Sequence, residues 1–166
     1  MSAISSRIVK SLLLLIIGAA ALVWLAWQDR AAPLALTTLT GETISLPSRQ
    51  GLVLLNFWAT GCPACLKEMP ELERLYDDYR DQGLQVVAIA MPYDPPNRVM
   101  DFVHRRRLPY PVALDPLGRI SEAFQVRLIP TWILLGPDNR ILWRHTGIPD
   151  FDHLEFLLQH HLYREN

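Results

Sequence analysis

The stretch Asn56-Phe57-Trp58-Ala59-Thr60-Gly61-Cys62-Pro63-Ala64-Cys65 decides how this chain is read. It holds the only two cysteines of the 166 residues, with two residues between them. Ahead of it, Leu52 to Phe57 is an apolar run suited to a central buried strand. Behind it, Leu66, Met69, Leu72, Leu75 and Tyr79 recur at three- and four-residue steps. That spacing predicts an amphipathic helix from Cys65 to about Gln82, kinked by Pro70 and stopped by Gly83. A thiol at a helix N-terminus meets the positive end of the macrodipole and several free N–H groups. Both favour the thiolate, the species that attacks disulfides. A second thiol one turn further on can resolve the mixed disulfide that results.

Other uses of a Cys-x-x-Cys fit less well. Covalent haem attachment needs His at position 66, where the chain has Leu66. A structural zinc site needs about four ligands, and His104, His145, His153, His160 and His161 show no ligand spacing near a cysteine. A purely structural disulfide over so short a loop removes little entropy from the unfolded chain. The pair reads as a working dithiol, with no metal and no cofactor. Cys62 is assigned as the nucleophile and Cys65 as the inward-facing resolving thiol. Pro63 presets the first helical φ and needs no N–H partner there. Ala64 carries no charge or donor; a histidine there would stabilise the thiolate and make the disulfide more oxidising, so its absence argues against a strong oxidant.

The chain length suits one domain plus a short extra segment. Half the residues are hydrophobic and the formal net charge is −1, which gives no footprint for nucleic acid. Arg105-Arg106-Arg107 reads as a solvated helix face. Residues 1–30 are of a different character: Arg7 and Lys10 precede an uncharged apolar run from Ser11 to Trp27. Counted from Ile8, with Lys10 snorkelling, the run reaches the roughly 20 residues that span a bilayer. The flanking charges place the N-terminus inside and the domain outside. Cleavage of a signal peptide at Ala19-Ala20-Ala21 would leave a mature chain starting Leu22-Val23-Trp24, so the segment reads as an uncleaved anchor. Either reading exports the domain.

Beyond a linker at 28–33, Leu34–Leu39 and Thr43–Leu46 around Thr40-Gly41-Glu42 predict a hairpin. Further strands are predicted at Leu84–Met91, Pro111–Leu114, Thr131–Leu135 and Ile141–Thr146, the last two joined by Gly136-Pro137-Asp138-Asn139. Helices are predicted to Arg106 after the turn Tyr93-Asp94-Pro95-Pro96-Asn97, from Leu117 to Phe124, and from Asp150 with Phe151, Leu154, Leu157, Leu158 and Leu162 on one side. The Tyr93–Asn97 segment lies at a strand C-terminus, the end of the sheet where sites gather, though turn chemistry explains Asp94-Pro95-Pro96 without invoking function. The order implies a three-layer α/β arrangement with a mixed sheet.

Phe57-Trp58-Ala59-x-x-Cys62-x-x-Cys65, with Ile129-Pro130-Thr131 far downstream, resembles the thioredoxin superfamily. Within it the chain is most similar to the exported, membrane-anchored TlpA-like and ResA-like redoxins, over roughly residues 34–162. The resemblance implies a thioredoxin-like fold with a central mixed β-sheet and an N-terminal β-hairpin extension, preceded by one transmembrane helix. It implies a cis bond before Pro130, opposite the cysteines, with Ile129, Pro130 and Thr131 pairing an extended substrate segment. It further implies disulfide-bearing exported clients, apocytochrome c among them, and a membrane electron donor that restores the dithiol outside the inner membrane. The cytochrome-dedicated branch carries Gly-Ala-Pro-Glu around its proline, whereas this chain has Leu128-Ile129-Pro130-Thr131, which leaves the client open.

Three positions bear on the site. Cytoplasmic thioredoxins place a proton-relaying Asp where this chain has Asn56. Glu68 matches the acidic residue of the ResA-like branch, and a carboxylate there would accept the Cys65 proton; the plainer reading is a complement to the helix N-terminus or a pair with Lys67. Gly61 replaces a Trp common in the family, which either opens the surface beside Cys62 or only relaxes the turn. Trp58 and Trp132 are candidates for the substrate groove, with core packing the alternative for Trp58. A peroxidase would need a Pro-x-x-x-Thr-x-x-Cys frame, and a copper-delivery module a wider cysteine spacing plus a histidine. The alternatives that remain are a thiol oxidase or isomerase of the same fold and a non-catalytic assembly or copper-delivery module.

Overall fold

A computed structural model describes residues 10–19, 30–31, 33–46, 48 and 51–163. The chain divides into two compact units, Met1–Arg30 and Ala31–Asn166. In the first, residues 10–19 are helical. Among the described residues no helix is long and apolar enough to cross a membrane. The rest of the span predicted over 11–27 lies outside the described residues.

The second unit is built on a five-stranded sheet in the order β5-β4-β3-β6-β7. These strands are β3 (Leu52–Trp58), β4 (Leu84–Ala90), β5 (Val112–Leu114), β6 (Thr131–Leu135) and β7 (Ile141–Thr146). β3, β4 and β5 run parallel, while β6 and β7 are antiparallel to their neighbours, so the sheet is mixed. Its centre is apolar because β3 is buried along its whole length, as the Leu52–Phe57 run requires. The hairpin β1 (Leu34–Thr37) and β2 (Thr43–Leu46) forms a separate two-stranded sheet.

Strand alternation divides the core into two faces. Leu52, Leu54, Trp58, Val86, Ala88, Trp132 and Leu134 face α1 (Pro63–Tyr79), α2 (Pro96–Arg106) and α4 (Phe151–Leu162). Val53, Leu55, Phe57, Val87, Ile89, Ile133 and Leu135 face the hairpin and the short α3 (Arg119–Ala123). The three layers are therefore helices, sheet, and hairpin with α3, in agreement with the order read from the sequence.

The element bounds differ from the sequence reading only at their ends. α1 begins at Pro63, because Cys62 itself is the N-cap. The predicted kink at Pro70 is not a break: the helix continues through it, with Pro70 on the exposed side. A 3-10 turn (Arg80–Gln82) follows, closed by Gly83 at φ +100. At the same corner, a Cβ on Gly51 would sit 2.4 Å from the Gly83 carbonyl oxygen, which fixes glycine where β3 and β4 start side by side.

Ion pairs tie the helices together at the surface. Arg74 of α1 donates to Glu155 of α4 at 2.9 Å, and Tyr79 donates to the same carboxylate at 2.8 Å. Arg106, from the basic run on α2, donates to Glu73 of α1 at 3.1 Å.

Candidate active site

The end of β3 delivers the chain directly into the cap of α1. Cys62 has extended backbone (φ −101, ψ 103), and its Sγ accepts the Cys65 N–H at 3.2 Å. Cysteine thus takes the place that Ser, Thr or Asp fills in most caps, and its sulfur receives one of the orphan N–H groups of the first turn. The two cysteines are joined as a disulfide, their Cα atoms 5.3 Å apart. Cys62 is half-buried, whereas Cys65 is 1% exposed. An incoming reagent reaches Cys62, and only Cys62 leads on to Cys65.

Beneath Cys65 lies a sealed polar pocket. Glu68 is one turn beyond Cys65 on the same helical face and is 2% exposed. Asn56 Nδ2 donates to its Oε1 at 3.1 Å, and Trp132 Nε1 donates to its Oε2 at 3.1 Å. Asn56 and Trp132 are cross-strand neighbours in the β3–β6 register, so both point from the sheet toward α1. Burial raises the Glu68 carboxyl to about 7, against the pull of the Asn56 and Trp132 hydrogen bonds. A carboxyl in that range exchanges a proton readily near neutral pH.

Of the plainer readings, the pair with Lys67 is not formed, and Glu68 lies beyond the first turn of α1, where a complement to the helix N-terminus would act. Asn56 itself relays no proton. Its role is to hold the carboxylate that can. A polar side chain inside an apolar strand run was the available signal, since a buried amide requires a partner.

Above Cys62 the surface is open. A cavity of about 310 Å³ is lined by Ala59, Gly61, Cys62, Tyr93, Asp94, Pro95, Arg98 and Ile129. Gly61 is exposed, a Cβ there would meet nothing within 4 Å, and its φ is not left-handed. The residue therefore does not serve the turn's geometry; it leaves room beside the reactive sulfur. The Tyr93–Asn97 turn is more than a turn. The Asp94 carboxylate, 6% exposed, accepts the Thr60 N–H at 2.5 Å and the Thr60 hydroxyl at 2.7 Å, which ties that loop to the cysteine loop. Contacts across 34 positions leave no local trace in a sequence.

The peptide bond between Ile129 and Pro130 is cis. Of the three residues named around it, Ile129 lines the cavity with Cys62. The Pro130 carbonyl accepts the Gly147 N–H at 2.8 Å. Thr131 is 2% exposed, paired with Phe57 on one side and Thr146 on the other, and its hydroxyl donates to the Leu128 carbonyl at 2.7 Å. Its backbone is committed to the sheet, so it does not pair a substrate. Trp58 is likewise corrected: it is fully buried and packs on Phe102 with ring centroids 5.4 Å apart. Its place in the β3 alternation points it under α1 and α2 rather than into the groove. Trp132, the other groove candidate, is buried against Phe151 and Glu68. Among the described residues no group of three or more His, Cys, Asp or Glu gathers into a metal-holding cluster.

The Redoxin family model matches residues 27–156, most of the chain and all of this site. The chain belongs to the redoxin family. Curated relatives of this redoxin carry the same chemistry in their names. Thiol-disulfide oxidoreductase ResA of Halalkalibacterium halodurans is 38% identical over 120 residues, covering 72% of this chain and 68% of that protein. Sporulation thiol-disulfide oxidoreductase A of Bacillus subtilis is 31% identical over 106 residues, covering 63% of this chain and 64% of that protein. Among solved structures, StoA of Bacillus subtilis superposes with a TM-score of 0.69 at 27% identity, covering 77% of this chain and 97% of that one. A Neisseria meningitidis protein solved in solution under a thioredoxin name gives 0.75 at 33% identity, covering 81% and 89%. The fold is thioredoxin-like, and this redoxin is a thiol–disulfide oxidoreductase of the ResA and StoA type, with Cys62 and Cys65 as its Cys-x-x-Cys pair.

Proposed function

We propose that this redoxin is an exported, membrane-tethered reductase of protein disulfides. The observation that carries the reading is the asymmetry of the pair: Cys62 sits on an open groove at a helix cap, and Cys65 is shut away behind it. In the reaction, the Cys62 thiolate attacks one sulfur of a client disulfide. A Cys62–client disulfide forms and the other client sulfur leaves as a thiolate. Cys65 then attacks Cys62, closing the Cys62–Cys65 disulfide and releasing the second client thiolate. Two electrons pass from the redoxin to the client, so a membrane electron donor must return them. Glu68 takes the Cys65 proton as that thiol becomes the attacking thiolate, and its carboxyl near 7 suits the task.

The apolar run from Ser11 to Trp27, with Arg7 and Lys10 ahead of it, supports a single-pass anchor with the catalytic domain on the extracytoplasmic side. Such a compartment is where protein disulfides persist and need a dedicated reductant. Clients are exported proteins that carry disulfides, apocytochrome c among the candidates. Ala64, between the cysteines, supplies no charge to favour the oxidant direction. Equilibrating the domain with glutathione buffers tests the direction of flow. A Cys62–Cys65 potential around −270 mV supports the reductase; one near −120 mV reverses the direction and refutes it.

A further inference from the structure

The cavity beside Cys62 is lined by one cation, Arg98, and one carboxylate, Asp94, that make no ion pair with each other. Arg98 lies in the first turn of α2, is exposed, and forms no ion pair among the described residues. Its acidic neighbours are otherwise placed. Asp94 turns both carboxylate oxygens onto Thr60, and Asp101, one helical turn further along α2, makes no ion pair with Arg98. The positive end of the α2 dipole opens on the same rim and adds to the Arg98 charge. Apart from Asp94 and Cys62, the lining around the cation is apolar or small: Gly61, Pro95, Ile129 and Tyr93, which is 65% exposed. Leu128, adjacent to Ile129, is 68% exposed and extends that apolar rim. A guanidinium beside an open wall presents a fork of donors suited to a carboxylate.

We propose that this groove selects client disulfides whose flanking chain carries a carboxylate, and that Arg98 is the residue that reads it. The client segment lies along Ile129, its cysteine over Cys62, with the acidic side chain reaching across the space that Gly61 leaves free. This specificity rests on the exchange reaction proposed above. Arg98 touches the client away from the reacting sulfurs, so it affects the encounter and the fit rather than the bond exchange.

The test uses the redoxin reduced with dithiothreitol and desalted, so that Cys62 and Cys65 hold the only reducing electrons. Three peptides with an intramolecular disulfide, carrying Glu, Gln or Lys beside the cysteine, are followed in single turnover. The Glu peptide is expected to react about threefold faster than the Gln peptide and the Lys peptide slower, the scale of a partly exposed ion pair. The preference should vanish in Arg98→Gln, reverse in Arg98→Glu and fade at high salt. Reading a ratio between peptides keeps the result independent of how much of each variant is folded. Turnover of all three at one rate, or a Glu preference that survives in Arg98→Gln, overturns the inference and leaves the exchange reaction standing. Failure of the reduced protein to turn over any peptide overturns both.

Discussion

The two sulfurs of this site look out on opposite surroundings. On the Cys62 side are a missing side chain at Gly61, an exposed Tyr93, an unpaired Arg98 and a cavity of about 310 Å³. On the Cys65 side, a carboxyl only 2% exposed is held by an amide from β3 and an indole from β6. One side is open around Cys62, and the other closes on a single buried carboxyl. The contrast explains why two chemically identical residues, one helical turn apart, do different work. It also explains the cost: a carboxyl is held in a place that disfavours its charge.

The largest way to break the comparison is at the open side. Cys62→Ser should reduce disulfide exchange to background, because Cys65 cannot be reached from solvent. Insulin or peptide-disulfide reduction would show it, and substantial residual turnover would mean that Cys65 is accessible after all. The sealed side predicts a pH effect on stability. A carboxyl raised from 4.5 unfolded to about 7 folded binds its proton more tightly in the native state. Stability from this group is therefore full below about 4.5 and is lost as pH rises through about 7, an effect on the order of 3 kcal/mol. Glu68→Gln should abolish that slope: its oxygen can accept from Trp132, and a turned Asn56 amide can meet its NH₂. Urea titrations of both proteins from pH 4 to 8 would check it, and parallel curves would show that Glu68 titrates as an ordinary carboxyl.

Two smaller effects sharpen the contrast. Asp94→Ala leaves the Thr60 N–H and hydroxyl without their acceptor and should cost about 2 kcal/mol, read from the denaturant midpoint. Gly61→Trp fills the open side. With nothing near the added Cβ it should shift stability by no more than about 0.5 kcal/mol. It should nonetheless slow large protein disulfides more than small ones. Equal slowing of both would place Gly61 outside the client's path.

Much of this molecule is legible in its sequence. The Leu52–Phe57 run and the three- and four-residue spacing after Cys65 placed β3 and α1, and the lone Cys-x-x-Cys between them placed the chemistry. Those signals are local, written within one strand or one helix. What escaped was long-range. The Glu68–Trp132 bond spans 64 positions and the Thr60–Asp94 clamp 34, and neither partner advertises the other. The tryptophans show the same limit: Trp58 and Trp132 sit near the site in sequence, yet strand alternation turns both inward. Thr131 reads as part of the proline loop, yet sheet pairing on both sides absorbs it.

The most direct test of the division of labour is to trap the mixed disulfide. Cys62→Ser and Cys65→Ser would each be incubated with a disulfide-bonded client peptide and weighed by intact mass spectrometry. The account predicts that Cys65→Ser accumulates one covalent adduct through Cys62 and that Cys62→Ser accumulates none. Equal trapping by the two variants, or trapping through Cys65 alone, would contradict it.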